Sequence, residues 1–559
     1  MLNSQTETNM KNLIKISTKW LMLLCIPAVL WVACKEDEPQ LDLSRQFKPA
    51  AFTITGGETT AKVAWNPSLF TLPGDVEYLL EVSKDGTDFT NVEYTATTTD
   101  AEVTIADTDI NIQTNYFARV KALGKNGAGD SNWLISSAFQ ITGEIFILPI
   151  NEYDVLTDAA LIRWQLKGVL TKVRMTPTGG TAFDVAISDT EYNAGQKLVS
   201  GLTQNTTYRA ELFNAAGVSK GFVTFTTKNA YTGSNIVDLR GISNKPKILR
   251  DTLQDIPSGS VVYLKRGQIY TVDAADAAAT RVFTKSVTLM SGPDLNPNLA
   301  RIHLTTNYNF VAAGVVDSVV FKDLVIKGTR AAGASFDNDY VINSNVSATV
   351  NKIRFENCKI SRLRGTVRAQ AAAPGTRIAN YFIDNCQIDS IREFSVVMSS
   401  AGSAFANVRI TNSTFSKCRR YVDHRVAGNN SLVIENCTFN EAPSGGVVGT
   451  NPPTNFLIDF NTFGSVIQIR NSIIGKTWIE TAGNTECGGI RAGGSANISV
   501  TNTYTLSDFI NLPAFAIPGV VAYPGSSTSV FTSPTTGNFK IKDLAFPGAT
   551  SAGDPRWRP

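Results

Sequence analysis

Histidine is nearly absent from this chain of 559 residues, which contains only His303 and His424. A histidine-rich metal site is therefore excluded, and histidine-based catalysis must use one of these two side chains. The seven cysteines are too few and too scattered for a disulfide scaffold or a zinc site built from CxxC pairs. With 42 glycines and 22 prolines, the chain is neither collagen-like nor of low complexity.

Long apolar runs are also missing, except near the N-terminus. Three lysines precede the short apolar stretch LMLLCIPAVLWVA, which ends at the small residue Ala33 and is typical of an export signal. Ala33-Cys34 then resembles a bacterial lipobox, although Trp31 stands where leucine is usual. The resemblance implies that the Cys34 thiol is lipid-modified and becomes the mature N-terminus. The alternatives are an uncleaved anchor and a signal that is cleaved without lipid attachment.

The residues after Cys34 read Lys-Glu-Asp-Glu. This run resembles the surface-export tag of outer-membrane lipoproteins in Gram-negative glycan-degrading bacteria. The resemblance implies a lipid-anchored protein on the extracellular face of the outer membrane, with a glycan transporter of that membrane as a possible partner.

Charge is unevenly distributed along the chain. Residues 235–559 contain 32 basic and 23 acidic side chains, whereas residues 1–234 contain 19 basic and 25 acidic ones. The basic C-terminal half indicates an anionic partner. We expect an acidic polysaccharide and no nucleic acid.

Two segments show the short, turn-bounded alternation of β-sandwiches. In residues 48–142, Trp65 comes early, and Tyr116 comes late with the position of a corner tyrosine. The pattern recurs in residues 143–229 with Trp164 and Tyr208. Both segments resemble fibronectin type III domains, and we interpret their aromatic residues as core and the two domains as a stalk.

A degenerate repeat dominates residues 235–536. Each copy has an apolar–x–apolar strand, then Asn (Asp in the first copy), a small residue, one variable position and an apolar residue. The Asp or Asn positions are 323, 357, 385, 412, 436, 471 and 502, with gaps of 24 to 35 residues. Such periods with β-type alternation predict a parallel solenoid, in which loop length varies from coil to coil.

Asparagine suits a tight left-handed bend and can form hydrogen bonds between coils, which predicts an asparagine ladder. Cys358, Cys386 and Cys437 follow the ladder position and are interpreted as small buried thiols. A disulfide between Cys358 and Cys386 stays open, because sequence does not establish its geometry. An amphipathic helix over residues 249–256 is expected to cap the first coil.

The opening PSGSVVYLKRGQIYTV and the Asn-Cys coils resemble the pectate-lyase-like superfamily of right-handed parallel β-helices. The final segment, from Phe546 to Trp557, resembles the closing motif of uncharacterised β-helix lipoproteins. The predicted fold is therefore all-β, with two fibronectin type III-like sandwiches and a right-handed parallel β-helix. We divide the chain into a signal peptide (1–33), a linker (34–47), sandwiches (48–142 and 143–229), the β-helix (235–536) and a closing segment (537–559).

A column of arginines is the first candidate binding site. Arg364, Arg392 and Arg419 each stand seven positions after a ladder residue, and adjacent coils lie about 4.8 Å apart. Like charges so close need counter-charges, either from Glu393 and Asp423 or from the carboxylates of a bound uronic-acid polymer. Further candidate binding residues complete the set: Arg368, and the aromatic side chains Tyr421 and Trp478, expected to be exposed for sugar stacking.

Catalysis by elimination is the alternative. Tyr421-Val422-Asp423-His424 resembles the Trp-Ile-Asp-His segment of pectate lyases, which implies Arg392, Arg419 or Arg425 as the base near Asp423 and His424. A calcium ion would be the cofactor of such a lyase, yet the middle coils lack clustered carboxylates, and no metal ligand is assigned. Alternatively, Asp423 and His424 form an acid–base pair, or His424 is a structural residue.

The motifs of polygalacturonases and of the esterases of this superfamily are absent from the chain. The sequence therefore favours a surface lipoprotein that binds an acidic, pectin-type polysaccharide. The alternatives are a polysaccharide lyase acting on uronic-acid polymers and a structural or adhesive surface protein. Whether the protein is catalytic, and which polymer it meets, stay open.

Overall fold

The computed structural model describes residues 44–72, 74–231, 235–329, 339–424, 426–460 and 465–559. Its regular structure is almost entirely β, and the predicted fold class is confirmed: two sandwiches precede a parallel β-solenoid. The chain forms two compact units, one ending at Ile145 and the other beginning at Phe146, with Ser219–Gly221 belonging to the first. The proposed signal peptide and Cys34 lie outside the described residues.

The first sandwich consists of two antiparallel sheets, with strand orders β1-β2-β5 and β4-β3-β6-β7. Trp65 and Tyr116 are buried between them, because alternate residues of each strand point into the core. The Tyr116 hydroxyl accepts a hydrogen bond from the backbone N–H of Asn111 at 3.1 Å, as expected of a corner tyrosine. The strands are β1 Ala50–Gly56, β2 Thr60–Asn66, β3 Tyr78–Ser83, β4 Val92–Thr98, β5 Glu102–Ala106, β6 Phe117–Ala122 and β7 Leu134–Ile135.

The second sandwich repeats this plan with a two-stranded and a four-stranded sheet, β11-β8 and β10-β9-β12-β13. Trp164 is buried in its core, and the Tyr208 hydroxyl accepts a hydrogen bond from the N–H of Thr203 at 2.9 Å. Both predicted corner tyrosines therefore occupy corners. The elements are β8 Ala159–Arg163, β9 Lys172–Pro177, β10 Phe183–Ala186, helix α1 Asp189–Ala194, β11 Gln196–Ser200, β12 Thr207–Phe213 and β13 Ser219–Thr226.

The solenoid has three parallel sheets, and each complete coil contributes one strand to each of them. Sheet A contains β14 Ile236–Asp238, β15 Ser260–Leu264, β18 Val287–Ser291, β21 Gly314–Lys322, β24 Ala348–Glu356, β27 Thr376–Asp384, β30 Ala404–Thr411, β33 Ser431–Glu435, β37 Val466–Arg470 and β41 Asn497–Thr501. Sheet B contains β16 Ile269–Val272, β19 Ala300–Leu304, β22 Leu324–Gly328, β25 Lys359–Leu363, β28 Gln387–Ile391, β31 Thr414–Cys418, β34 Thr438–Asn440, β38 Ile473–Ile474, β42 Tyr504–Leu506 and β43 Val521–Tyr523.

Sheet C is shorter than the other two and contains β23 Tyr340–Ser344, β26 Gly365–Ala369, β29 Val397–Ser399, β32 Val422–His424, β36 Phe456–Asp459 and β40 Gly488–Arg491. Two small pairs lie beside it. The first is parallel, β17 Val282–Phe283 with β20 Asn309–Phe310, and the second is antiparallel, β35 Gly446–Val447 with β39 Asn484–Glu486.

The bend between sheets A and B follows the predicted repeat. Every ladder residue has a left-handed backbone, with φ from 44° at Asn502 to 55° at Asn436. Asn357 donates a side-chain hydrogen bond to Asp323 at 2.7 Å, and Asn385 donates one to Asn357 at 3.3 Å. The ladder is interrupted at Asn412, whose side chain donates to Asp384 rather than to Asn385. Side-chain amides thus link successive bends and hold the coils in register.

The residue after each ladder position forms a second column. The Cys386 thiol accepts a hydrogen bond from the N–H of Cys358 at 3.4 Å and donates to the carbonyl of Asp384 at 3.2 Å. The Ser413 hydroxyl occupies the equivalent position in the next coil. It accepts from the N–H of Cys386 at 3.0 Å and donates to the carbonyl of Thr411 at 2.6 Å. The cysteines of the described residues are free and buried, so Cys358 and Cys386 are not joined by a disulfide.

Both ends of the solenoid are covered. Helix α2 spans Ile248–Thr252 and is shorter than predicted, but Leu249 and Leu253 enter the core as expected of a cap. At the other end, β44 Phe531–Ser533 pairs with β45 Asn538–Ile541. A third helix, α3, covers Ser527–Val530, and short 3-10 helices lie at Glu152–Asp154, Ala278–Arg281, Pro513–Phe515, Pro534–Thr536 and Pro555–Trp557.

The closing segment folds back over the bends between sheets A and B. The buried Asp554 carboxylate accepts a hydrogen bond from the Thr414 hydroxyl at 2.7 Å, and the Trp557 indole donates to the same hydroxyl at 2.7 Å. Arg558 donates to the side chain of the ladder residue Asn436 at 2.9 Å. The end of the chain therefore holds several coils together from outside.

Replacing the ladder residue Asn357 tests the bend. Asn357→Gly keeps the left-handed backbone but loses two side-chain hydrogen bonds, at about 1 kcal/mol each. Asn357→Ala loses the same bonds and adds left-handed strain of about 1–2 kcal/mol. Urea unfolding followed by circular dichroism should therefore rank wild type above Gly and Gly above Ala. Equal stability of the two variants would show that backbone strain is unimportant here.

Replacing Cys386 tests the second column. Cys386→Ser keeps a group that accepts from the Cys358 N–H and should change stability little. Cys386→Ala leaves that buried N–H without its partner and should cost about 1–3 kcal/mol. Thermal unfolding of the two variants compares them directly, and a serine variant as unstable as the alanine variant would contradict the role given to the thiol.

Candidate functional site

The turn from sheet B to sheet C brings the predicted arginine column together. Strand pairing aligns Leu363 with Ile391, and Ile391 with Cys418. The following residues, Arg364, Arg392 and Arg419, therefore occupy equivalent positions on three successive coils. Their side chains are 24–29% exposed, so the guanidinium groups are partly shielded from water.

Two glutamates of the protein form ion pairs with this column. Glu393 contacts Arg364 at 2.7 Å and Arg419 at 3.5 Å. Glu480 contacts Arg392 at 2.6 Å and Arg419 at 2.8 Å. The expected role of Glu393 as a counter-charge is therefore correct.

Asp423 was the other expected counter-charge, but it contacts Arg420 at 3.0 Å, and Glu480 takes its place in the column. Glu480 reaches the arginines because its loop is tied to the preceding coil. Strand β39 pairs with β35, and the backbone of Trp478 exchanges hydrogen bonds with Pro443 and Gly445 at 2.9 Å each. Sequence reasoning missed Glu480 because no repeat position marks it.

Arg368 differs from the column arginines. It lies on β26, where its neighbours Val367 and Ala369 are core residues, so its side chain points out of the solenoid. Its guanidinium lies 3.7 Å from the ring centre of Phe394 and donates to the hydroxyl of Tyr340 at 3.3 Å. Arg364 contacts the same Phe394 ring at 4.2 Å. We call this group, Tyr340, Arg364, Arg368 and Phe394, the Arg368 cluster.

The Arg368 guanidinium has no carboxylate within ion-pair distance among the described residues, and its Nε atom lacks a hydrogen-bond partner. Burial lowers the pKa of this guanidinium from its ordinary value. Burial removes part of the hydration of this cation. Stacking on aromatic rings offsets that loss with less electrostatic stabilisation than an ion pair would give. An anion placed beside it would supply the missing charge and hydrogen bonds.

The outward row of sheet C continues beyond Arg368. Strand register places Arg368, Met398, Asp423, Asp459 and Arg491 opposite one another on successive coils. Asp423 and Asp459 are thus neighbouring carboxylates, at a coil spacing of about 4.8 Å. Arg491 holds Asp459 through two hydrogen bonds of 2.8 and 2.6 Å.

Sequence reasoning did not predict the row of sheet C, because the loops that lead to Asp459 and Arg491 differ in length. Asp423 is fully buried and Asp459 is 6% exposed, so neither carboxylate faces solvent freely. The described ranges contain no group of three or more His, Cys, Asp or Glu side chains arranged to hold a metal ion. The two carboxylates and their arginine partners therefore do not fit the calcium site of a lyase.

His424 is fully buried and points into the solenoid, where its ring lies 6.3 Å from Phe405 and 5.9 Å from Phe460. Its Nε2 accepts a hydrogen bond from the N–H of Phe405 at 3.1 Å. Asp423 and His424 are adjacent on one strand, and they point to opposite faces of sheet C. They do not form the predicted acid–base pair, and the structural interpretation of His424 is favoured.

Tyr421 is fully buried, with its ring 4.6 Å from Phe415 and 4.7 Å from Phe439. The expectation that it is exposed for sugar stacking is therefore wrong, because it fills the turn between sheets B and C from inside. Trp478 is half-buried on the loop that carries Glu480. Arg425, a candidate base, lies outside the described residues.

No helix of the described residues is both long and apolar enough to cross a bilayer.

The comparisons with known proteins name no activity. A family model described as a domain of unknown function, DUF5123, matches residues 432–557. No curated protein matches the chain. Among solved structures, the chain is similar to the FN1–FN3 domains of chicken CNTN1, with 15% identity, a TM-score of 0.17, and coverage of 34% of this chain and 69% of that one. It is also similar to a two-domain fibronectin type III segment of chicken tenascin, with 13% identity, a TM-score of 0.17, and coverage of 33% and 99%.

The buried histidine predicts acid sensitivity. Burial lowers the pKa of His424 from 6.5 to about 4. Between these values the unfolded state binds a proton that the folded state does not, so stability falls as pH decreases from about 6.5 towards 4. The shift corresponds to about 3 kcal/mol at the acid end of this window.

Urea unfolding of wild type and His424→Gln at pH 7.5 and 4.5 measures this effect. The glutamine keeps an acceptor for the Phe405 N–H but does not titrate, so the variant should lose less stability on acidification. His303→Gln is the matched control and should have a smaller effect, because His303 is only half-buried. An unchanged pH dependence in His424→Gln would contradict the assignment.

Proposed function

We propose that this protein is a surface lipoprotein whose solenoid binds an acidic, pectin-type polysaccharide through the Arg368 cluster. The observation that carries the proposal is the Arg368 guanidinium, which lies on aromatic rings without a carboxylate partner among the described residues. Uronic acids present one carboxylate per sugar, and a planar guanidinium pairs with a carboxylate through two parallel hydrogen bonds.

The surroundings of Arg368 favour an anion. Arg364 lies beside it on the same aromatic ring, and the glutamate that neutralises Arg364 also contacts Arg419. One carboxylate is therefore shared between two guanidinium groups. The excess of basic residues in 235–559 points the same way.

A non-catalytic role is favoured over elimination. Arg392 and Arg419 are held by Glu480 at 2.6 and 2.8 Å, so both guanidinium groups are engaged within the protein. A protonated guanidinium cannot remove the proton beside a uronate carboxylate. His424 is buried away from solvent and cannot meet a polymer. These contacts support capture of a glycan, within the pectate-lyase-like branch that the sequence resembles.

The proposed lipid anchor at Cys34 and the acidic run after it place this binding at the extracellular face of the outer membrane. A glycan transporter of that membrane would then receive the captured polymer. The two fibronectin type III-like domains come between the anchor and the solenoid in the chain and serve as the stalk.

The decisive variant is Arg368→Gln. The variant loses a charge-assisted hydrogen bond worth about 1.5–3 kcal/mol, which should weaken binding to homogalacturonan by roughly ten- to a hundredfold. Added salt should weaken binding by the wild-type protein, because it screens the charges. Arg409→Gln is the matched control, since Arg409 is 50% exposed on sheet A and pairs with Glu435. Affinity gel electrophoresis with homogalacturonan, alginate, a glycosaminoglycan and neutral dextran measures binding.

Ultraviolet absorbance of the same mixtures, with and without calcium, reports unsaturated uronate products. A flat trace with retardation that depends on Arg368 supports the proposal. Rising absorbance would establish a lyase in its place. Absence of retardation by every acidic polymer would leave a structural or adhesive role. Equal weakening by Arg368→Gln and Arg409→Gln would show that charge alone, rather than the Arg368 cluster, causes retention.

A further inference from the structure

The first sandwich carries an exposed group of large apolar side chains at one end. Leu69, Phe70 and Leu72 are 64%, 92% and 72% exposed, and Phe47 is 37% exposed with its ring 5.6 Å from that of Phe70. We call these four side chains the apolar tip. Scattered apolar residues are normal on a surface, but four large ones near one another favour an interaction site.

The tip is held in place by its own loop. The buried Ser68 donates its N–H to the hydroxyl of the core residue Tyr78 at 3.1 Å, and the Thr71 hydroxyl donates to the Ser68 carbonyl at 2.6 Å. Phe70 has a φ of 59°, a left-handed conformation that is strained for a bulky side chain. The fold thus keeps a strained phenylalanine almost fully in water, which favours a role outside the domain.

The topology of the sandwich places the tip where the chain enters. Strand β1 starts at Ala50, which pairs with Asn66 at the end of β2, and the tip loop follows directly. The chain leaves the sandwich at the opposite end. There the N–H of Thr142 donates to the carbonyl of Gly57, the residue that follows the last residue of β1. The two ends are about 24 Å apart, the length of a seven-residue strand.

We propose that the apolar tip inserts into the surface of the membrane that holds the lipid of Cys34. The inference rests on the lipid anchor of the proposed function. Nine residues lie between Cys34 and Ser44, where the described structure begins, and the ten Cα–Cα steps reach at most about 35 Å. An anchored chain therefore keeps the entry end of the sandwich within about 35 Å of the bilayer surface. Phenylalanine and leucine side chains at that end match the acyl boundary of a lipid surface.

The test uses the full-length chain, purified in detergent and reconstituted into vesicles of phosphatidylethanolamine and phosphatidylglycerol. Phe70→Cys and Glu58→Cys are each labelled with an environment-sensitive fluorophore. Glu58 is exposed at the opposite end of the same sandwich and is the matched control. The free cysteines of the described residues are buried. Labelling is selective in the processed protein, where the lipid occupies the Cys34 thiol and Cys25 is removed with the signal peptide.

In vesicles, the emission maximum of the label at position 70 should shift to shorter wavelength, and lipids brominated on their acyl chains should quench its fluorescence. The emission of the label at position 58 should show no shift and no quenching. A label at position 70 that stays in water in the vesicles overturns the inference. Mass spectrometry of the same sample tests the lipid, and a chain without lipid on Cys34 overturns the premise. Retardation of Phe70→Cys by homogalacturonan is measured separately, so failure at the membrane is distinguishable from failure of glycan binding.

Discussion

The left-handed bend between sheets A and B is the constraint on which the rest of the solenoid depends. Seven coils turn at an Asp or Asn whose φ lies between 44° and 55°, and the side chain of that residue bonds to a neighbouring coil. An ordinary L-residue resists this conformation, so the bend stays where the Asn is. Because side chains alternate along a strand, fixing the bend also decides which residues enter the core. Phe355 and Ile383, both two positions before the bend, are fully buried for this reason.

The same constraint creates the electrostatic problem at the next turn. Once the coils are in register, Arg364, Arg392 and Arg419 must lie side by side, at a spacing where unpaired guanidinium groups repel. Glu393 comes from the column itself, and Glu480 arrives on a loop tied by the β35–β39 pair. Arg368 lies just outside this ion-pair network and has no carboxylate partner among the described residues. The proposed glycan site is therefore the edge of a structural ion-pair network rather than the network itself.

Much of the fold follows from local patterns. The ladder positions, the thiol column and the two corner tyrosines were predicted, since each depends on a backbone conformation or a hydrogen bond within a few residues. The direction of side chains at sheet C was predicted less well. Tyr421 was expected on the surface and lies in the core, because the strand alternation does not hold in the turn before β32, where Tyr421 and Val422 both enter the core. His424 likewise points inward while Asp423 points outward, which separates two neighbours in sequence.

The sequence by itself determined the class of fold, the position of each bend and the existence of the arginine column, because these depend on repeated local signals. Only the tertiary structure decided which carboxylates meet those arginines. Glu480 lies 61 residues from Arg419, and Arg491 lies 32 from Asp459. The gaps between bends vary from 24 to 35 residues, so loops of unequal length carry these side chains to their partners. No periodic pattern records where such a loop returns, and the partners become visible only when the coils are stacked.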